Sequence, residues 1–110
     1  SVGKCLLAFG QDVDLSVYES HPLTVYTEYT IRSLEQLKEE LDDVREKGYA
    51  IDREELELGL TCIGAPILDR SGHAIAAISL SGPKSRMLAG DFCERVRAVT
   101  EAARKISTNF

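Results

Sequence analysis

The stretch GYAIDREELELGLTCIGAPILDRSGHAIAAISLSGP, residues 48–83, decides the fold of this 110-residue chain. Two apolar runs within it, Leu60 to Leu68 and Ala74 to Ser81, flank Asp69-Arg70-Ser71-Gly72. Short polar side chains followed by a glycine suit a tight reversal, so the two runs read as a β-hairpin. Folding back on that turn sets Leu68 opposite His73, Pro66 opposite Ile75, Gly64 opposite Ala77, Cys62 opposite Ser79 and Leu60 opposite Ser81. Strand side chains alternate with a period of two, so Ile63, Ala65 and Ile67 share a face with Ala76, Ile78 and Leu80. That greasy face requires a cover. The opposite face carries Cys62, Gly64, Ala77, Ser79 and Ser81, all small and two of them hydroxylated. It forms a shallow hollow with hydrogen-bonding groups in its floor. Small residues in strands often mark the close approach of a helix or a neighbouring subunit. The two serines also call for partners, because a buried hydroxyl without one costs about 1–3 kcal/mol, and a polar ligand or water would supply them.

Upstream, Ser33-Leu34-Glu35-Gln36 is a capping-box pattern that starts a helix. Leu34, Leu37, Leu41 and Val44 recur along it at helical spacing, with charged residues between them, and Gly48 stops it. Tyr49-Ala50-Ile51 then reads as a strand that delivers Asp52 to its exit, where a side chain can turn into a pocket. The charges that follow, Arg53, Glu54, Glu55 and Glu57, read as a solvated connector. Nearer the start, Ser1 caps a short helix through Phe9 that Gly10 closes in the left-handed conformation. A second short helix is expected over Asp12 to Ser20, and β-propensity favours a strand over Thr24 to Ile31. Downstream, Asp91-Phe92-Cys93-Glu94 opens a terminal helix with Phe92, Val96, Val99, Ala103 and Ile106 along one stripe. The expected fold is a single compact α+β unit.

Composition narrows the function. With 13 basic against 18 acidic residues the net charge is −5, and the basic residues are scattered, so this chain is not expected to bind nucleic acid itself. No apolar run approaches the length needed to cross a bilayer. Cys5, Cys62 and Cys93 are odd in number and far apart, which argues against a disulfide framework and a zinc site and favours a reducing, cytoplasmic home. His21 precedes a proline and His73 follows the hairpin turn, so neither belongs to a metal-binding pattern. No nucleophile elbow, phosphate loop or dinucleotide fingerprint is present, and no cofactor is expected. Cys62 as a nucleophile would need a base, and no histidine lies near it in the local pattern. The chain starts at Ser1 with residues that read as the interior of a fold, so a fragment is expected.

Residues 48–83 together with the opening SVGKCLLAF closely resemble the C-terminal effector-binding domain of IclR-family bacterial transcription regulators. The combination of GYA, D-x-E-E, G-L-x-C-I-x-A-P and I-S-x-S-G-P carries the resemblance, which covers nearly the whole chain. It implies a GAF-like domain, a twisted antiparallel β-sheet with helices packed on its faces, spanning residues 1–110 and incomplete at its N-terminus. It also implies a winged helix-turn-helix DNA-binding domain outside this chain, DNA contacted only through that domain, a small organic acid as effector, and homodimers or homotetramers. Residue by residue, the family's ligand-contacting acid falls on Asp52, its pocket cysteine on Cys62 and its pocket serines on Ser79 and Ser81, with Ser1 and Val2 closing the pocket. Ser79, Ser81 and backbone N–H groups at Cys62 and the first helix would then hold a ligand carboxylate, while Asp52 accepts from a ligand hydroxyl or a bridging water. That division points to a hydroxy or keto acid. An oligomerisation module without ligand response is the competing expectation, and a small Cys62-dependent enzyme the third.

Overall fold

A computed structural model describes residues 1–10, 15, 26–55 and 57–110. At its centre is an antiparallel sheet of three strands, β1 (Ala50–Arg53), β2 (Leu60–Leu68) and β3 (Ala74–Pro83), in the order β1-β2-β3. Helices α1 (Val2–Phe9) and α2 (Leu34–Lys47) stack on one face, and α3 (Lys84–Met87) and α4 (Phe92–Ser107) on the other. The architecture is the expected α+β sheet with helices on its faces.

The hairpin register departs from the simple expectation in an instructive way. Gly72 N donates to Asp69 O at 3.1 Å, Asp69 N donates to His73 O at 2.9 Å, and Gly72 has φ +84°. This is a turn closed by a left-handed glycine, steadied by the Asp69 carboxylate, which accepts from Ser71 N and His73 N. Leu68 consequently pairs with Ala74, and a bulge past Ile75 pairs Ile67 with Ala76. Either one-residue slip alone would turn every side chain to the other face. Together they cancel, so beyond the bulge the expected faces hold while each partner moves by two: Cys62 faces Ser81 and Gly64 faces Ser79.

Ile63, Ala65 and Ile67 bury one face of β2 against Val99 and Ala103 of α4 and Met87 of α3, with Ile78, Phe92 and Val96 packed around them. On the other face Cys5 and Ala8 of α1, Leu37, Leu41 and Val44 of α2, and Ala50 of β1 form the second cluster. Pro66 is tolerated in the middle strand because β1 ends at the Ala50–Gly64 pair, leaving Pro66 with β3 alone.

The caps of α2 follow the sequence reading. Ser33 Oγ accepts from Gln36 N at 3.1 Å, and Gly48 takes φ +84° and donates to Val44 O. The Gln36 side chain accepts from Arg32 N, one residue before the expected Ser33. Asp91 likewise accepts from Glu94 N to start α4. Four expectations are corrected or fall elsewhere. Gly10 is extended at φ −69°, and Ser1 makes no side-chain capping bond, because it packs on the sheet instead. Residues 26–31 form a turn, not a strand: Thr30 Oγ1 accepts from Tyr26 N and Thr27 N, so the hydroxyl supplies the local bonds that β-propensity ignores. The helix expected over Asp12 to Ser20 and His21 lie outside the described residues, apart from Leu15, which packs against the α1–α2 cluster.

Candidate functional site

Two rows cross the sheet on the α1 side. Asp52, Cys62 and Ser81 lie side by side on β1, β2 and β3, and Ala50, Gly64 and Ser79 form the adjacent row. The structure therefore brings together Asp52, Cys62, Ser79 and Ser81, as the sequence expected, with Ser81 and not Ser79 beside Cys62. Cys62 is buried, Asp52 is partly buried, and both serines are exposed on β3. The Cys62 backbone is flanked by strands on both sides, so its N–H serves the ladder and only its side chain faces the row.

The first helix sits on the second row. A Cβ added at Gly64 would lie 2.8 Å from Ser1 Cβ and 3.0 Å from the Ser1 carbonyl carbon. Gly64 is thus the close-approach glycine of the packing interpretation, and it brings the start of α1, Ser1 and Val2, to the edge of the Asp52 row. The Ser1 nitrogen is 4.0 Å from Asp52 Oδ2.

The carboxylate of Asp52 is held by one oxygen. Its Oδ1 accepts from Glu55 N at 2.9 Å, leaving Oδ2 directed towards the start of α1. The connector behind it is tied on several sides, which corrects its reading as merely solvated. Lys4 Nζ donates to Glu55 Oε2 at 2.7 Å, to Ile51 O at 2.8 Å and to Glu40 Oε1 at 3.0 Å. Glu55 Oε2 also accepts from Arg53 N. Thr27 Oγ1 and Thr30 Oγ1 donate to the carbonyls of Glu54 and Glu55. Glu54 itself stands at φ +60°, secured by its N–H to Leu60 O and by its carboxylate, which accepts from Gly59 N and meets Lys84 at 3.4 Å. Sequence reasoning missed Lys4 and Glu55. The usable signal was a lone cation on the otherwise apolar helix Val2–Phe9, a residue type seldom buried without a partner.

Burial pushes the Cys5 thiol up from its ordinary value, against weaker opposing pulls from the amino terminus, the Ala50 backbone and Lys4. It is a packing residue. A cavity of about 450 Å³ lies away from the row, lined by residues that include Pro66, Arg70, Thr100, Arg104 and Phe110. It is open and belongs to the α4 side of the molecule. Among the described residues no group of His, Cys, Asp and Glu is arranged to hold a metal ion, and no helix is long and apolar enough to cross a membrane.

Known proteins share both the sequence and the fold. The family model described as bacterial transcriptional regulator IclR C-terminal matches residues 1–108. The HTH-type transcriptional regulator KdgR of Escherichia coli is 44% identical over 108 residues, which are 97% of this chain and 41% of that protein. The crystal structure of the KdgR C-terminal domain superposes with a TM-score of 0.85 at 42% identity, covering 97% of this chain and 66% of that one. A double mutant of the PobR inducer-binding domain from Acinetobacter, in complex with 3-hydroxybenzoic acid, superposes with a TM-score of 0.75 at 29% identity, covering 97% of this chain and 62% of that one. The chain spans about two-fifths of the length of the curated relatives it matches. These relatives are transcriptional regulators and not enzymes, which removes the Cys62-dependent enzyme from consideration. The match from the first residue to position 108, carried by a fold that superposes on the KdgR C-terminal domain, places this chain in the IclR family of bacterial transcriptional regulators, as their C-terminal domain.

Proposed function

We propose that this chain is the ligand-sensing domain of an IclR-type regulator, incomplete at its N-terminus, which takes a small hydroxy, keto or sugar acid across the Asp52–Cys62–Ser81 row. Binding would modulate DNA affinity through an N-terminal helix-turn-helix domain of the full protein, by favouring one arrangement of a homodimer or homotetramer. The observation that carries the reading is the polarity of the row, with an acceptor at the Asp52 end and hydroxyl donors at the other. A ligand with its carboxylate on Ser79, Ser81 and the start of α1, and its hydroxyl on Asp52 Oδ2, matches that polarity, with Cys62 as the floor beneath it and Ser1 and Val2 as one wall. Asp52 and Ser81 are two strand spacings apart, about 9.7 Å between backbones, and with a side chain and a hydrogen bond at each end the gap left is that of a small ligand. A hydroxyl a few bonds from a carboxylate fits that gap. The acid bound in the PobR complex also pairs a hydroxyl with a carboxylate.

The test is a thermal-shift screen of this chain and of the full-length protein against hydroxy, keto, sugar and aromatic acids. One chemical class should raise the midpoint by several degrees, since a hundredfold excess over Kd stabilises by about 2.7 kcal/mol. Asp52→Ala, and separately Ser79→Ala with Ser81→Ala, should abolish the shift without changing the circular dichroism. Silence across every class in both proteins would leave the oligomerisation module, which the exposure of β3 favours.

A further inference from the structure

The geometry points to Lys4 as a positioning residue for the Asp52 carboxylate, acting through Glu55. The inference rests on the reading of Asp52 as the ligand-contacting acid and adds how that acid is aimed. Three ammonium hydrogens meet three acceptors, on α2 (Glu40), on β1 (Ile51 O) and on the connector (Glu55), so the donor capacity of Lys4 is saturated. Its side chain is 11% exposed, and those of Glu40 and Glu55 are 27% and 16%. Charge-assisted bonds in so sheltered a place are short and directional.

The chain of contacts leads to one atom. Lys4 fixes Glu55 Oε2, which also accepts from Arg53 N, so the Glu55 side chain folds back over the end of β1. That fold-back sets the direction of the Glu55 N–H, which donates to Asp52 Oδ1. With Oδ1 engaged, the carboxylate cannot rotate freely, and Oδ2 stays turned to the start of α1, 4.0 Å from the Ser1 nitrogen. Lys4 lies one turn along the helix that begins at that nitrogen. A shift of α1 against the sheet therefore moves the acid's tether together with the wall of the site, and the same shift pulls on α2 through Glu40.

A purely structural role, a staple between α1 and α2, makes a different prediction, because Glu40 would then matter as much as Glu55. Amide exchange at Glu55, measured by NMR on this chain, separates the two. Lys4→Met should speed exchange at Glu55 by about tenfold, the factor by which local opening rises when a hydrogen bond of ordinary net strength is loosened. Glu40→Gln should leave it within about twofold, and Lys4→Arg, which keeps the charge but replaces the three-pronged ammonium with a planar fork, should restore only part of the protection. Equal effects from Lys4→Met and Glu40→Gln, or an unchanged Glu55 amide in Lys4→Met, would overturn the proposal. The second arm measures binding of 3-hydroxybutyrate, 3-hydroxybenzoate, pyruvate and gluconate. Lys4→Met should weaken the tightest of these by about tenfold in the wild-type background and by less than about twofold beside Asp52→Asn, the mark of a residue that acts through Asp52. Equal weakening in both backgrounds would refute action through Asp52. Failure of all four acids to bind the wild type would count against the ligand reading, while the Glu55 exchange would still decide the positioning role.

Discussion

Gly64 shows how much one missing methyl group decides. The start of α1 lies over it so closely that an alanine Cβ would sit 2.8 Å from Ser1 Cβ and 2.9 Å from its Oγ. The contact includes the Ser1 main chain, so a rotamer change cannot relieve it. Gly64→Ala should destabilise the chain by about 1–3 kcal/mol, as overpacked sites do, and should also displace the wall of the acid site. Gly82 is the control, since a Cβ there meets only the end of Met87, at 3.3 and 3.4 Å, and a flexible thioether yields. Urea unfolding of the two variants should rank Gly64→Ala as clearly worse; equal losses would mean that α1 does not rest where it is placed. Side-chain parity made the faces of Cys62, Gly64, Ser79 and Ser81 legible in the sequence, because alternation survives any even change of register. Pairing partners were not legible, since the slip at the Asp69–Gly72 turn and the bulge at Ile75 depend on hydrogen bonds that spacing does not encode. Lys4 escaped for a similar reason: its three partners lie 36, 47 and 51 residues away.

At the scale of elements, the helices were the most readable because their signals are local. The stripe Leu37, Leu41 and Val44 and the Ser33 and Gly48 caps of α2 sit within a few residues of the backbone they organise. Residues 26–31 were misread because their threonines satisfy neighbouring amides and the carbonyls of Glu54 and Glu55, a tertiary use of a β-favouring residue. The short α3 had no periodic stripe to announce it; Met87 is its one buried residue. Since α2 reaches the sheet largely through α1, its fully buried Leu41 should matter beyond α2. Leu41→Ala should cost about 2–5 kcal/mol, by lost transfer energy plus the cavity left behind. Loosening α1 should also lower protection of the Glu55 amide behind Lys4. A variant that loses stability while Glu55 stays fully protected at matched fractions folded would show that α1 and α2 are not one mechanical layer.

At the scale of the whole molecule, β3 stands out. It runs for ten residues without a charged side chain, and Ile75 and Leu80 are 48% and 40% exposed. Edge strands of soluble proteins are guarded by charge, proline or a bulge. Here the bulge lies near the start and Pro83 at the end, so residues 76–81 between them are unguarded. Such a strand is built to be paired. About a third of the KdgR C-terminal domain lies outside the part that this chain covers, enough to supply a partner strand. A chain extended to that length should therefore cover β3, whereas the 110-residue chain should associate with itself through the same edge. Ile75→Lys with Leu80→Lys distinguishes the two situations by sign. In the short chain the lysines should suppress concentration-dependent association in sedimentation velocity, because they charge an exposed edge. In the extended chain they should lower stability, because burying an unpaired charge is costly wherever a partner strand covers it. Suppression in the short chain with no loss in the long one would mean that β3 remains open there and that assembly of subunits, not completion of the sheet, is what this edge is for.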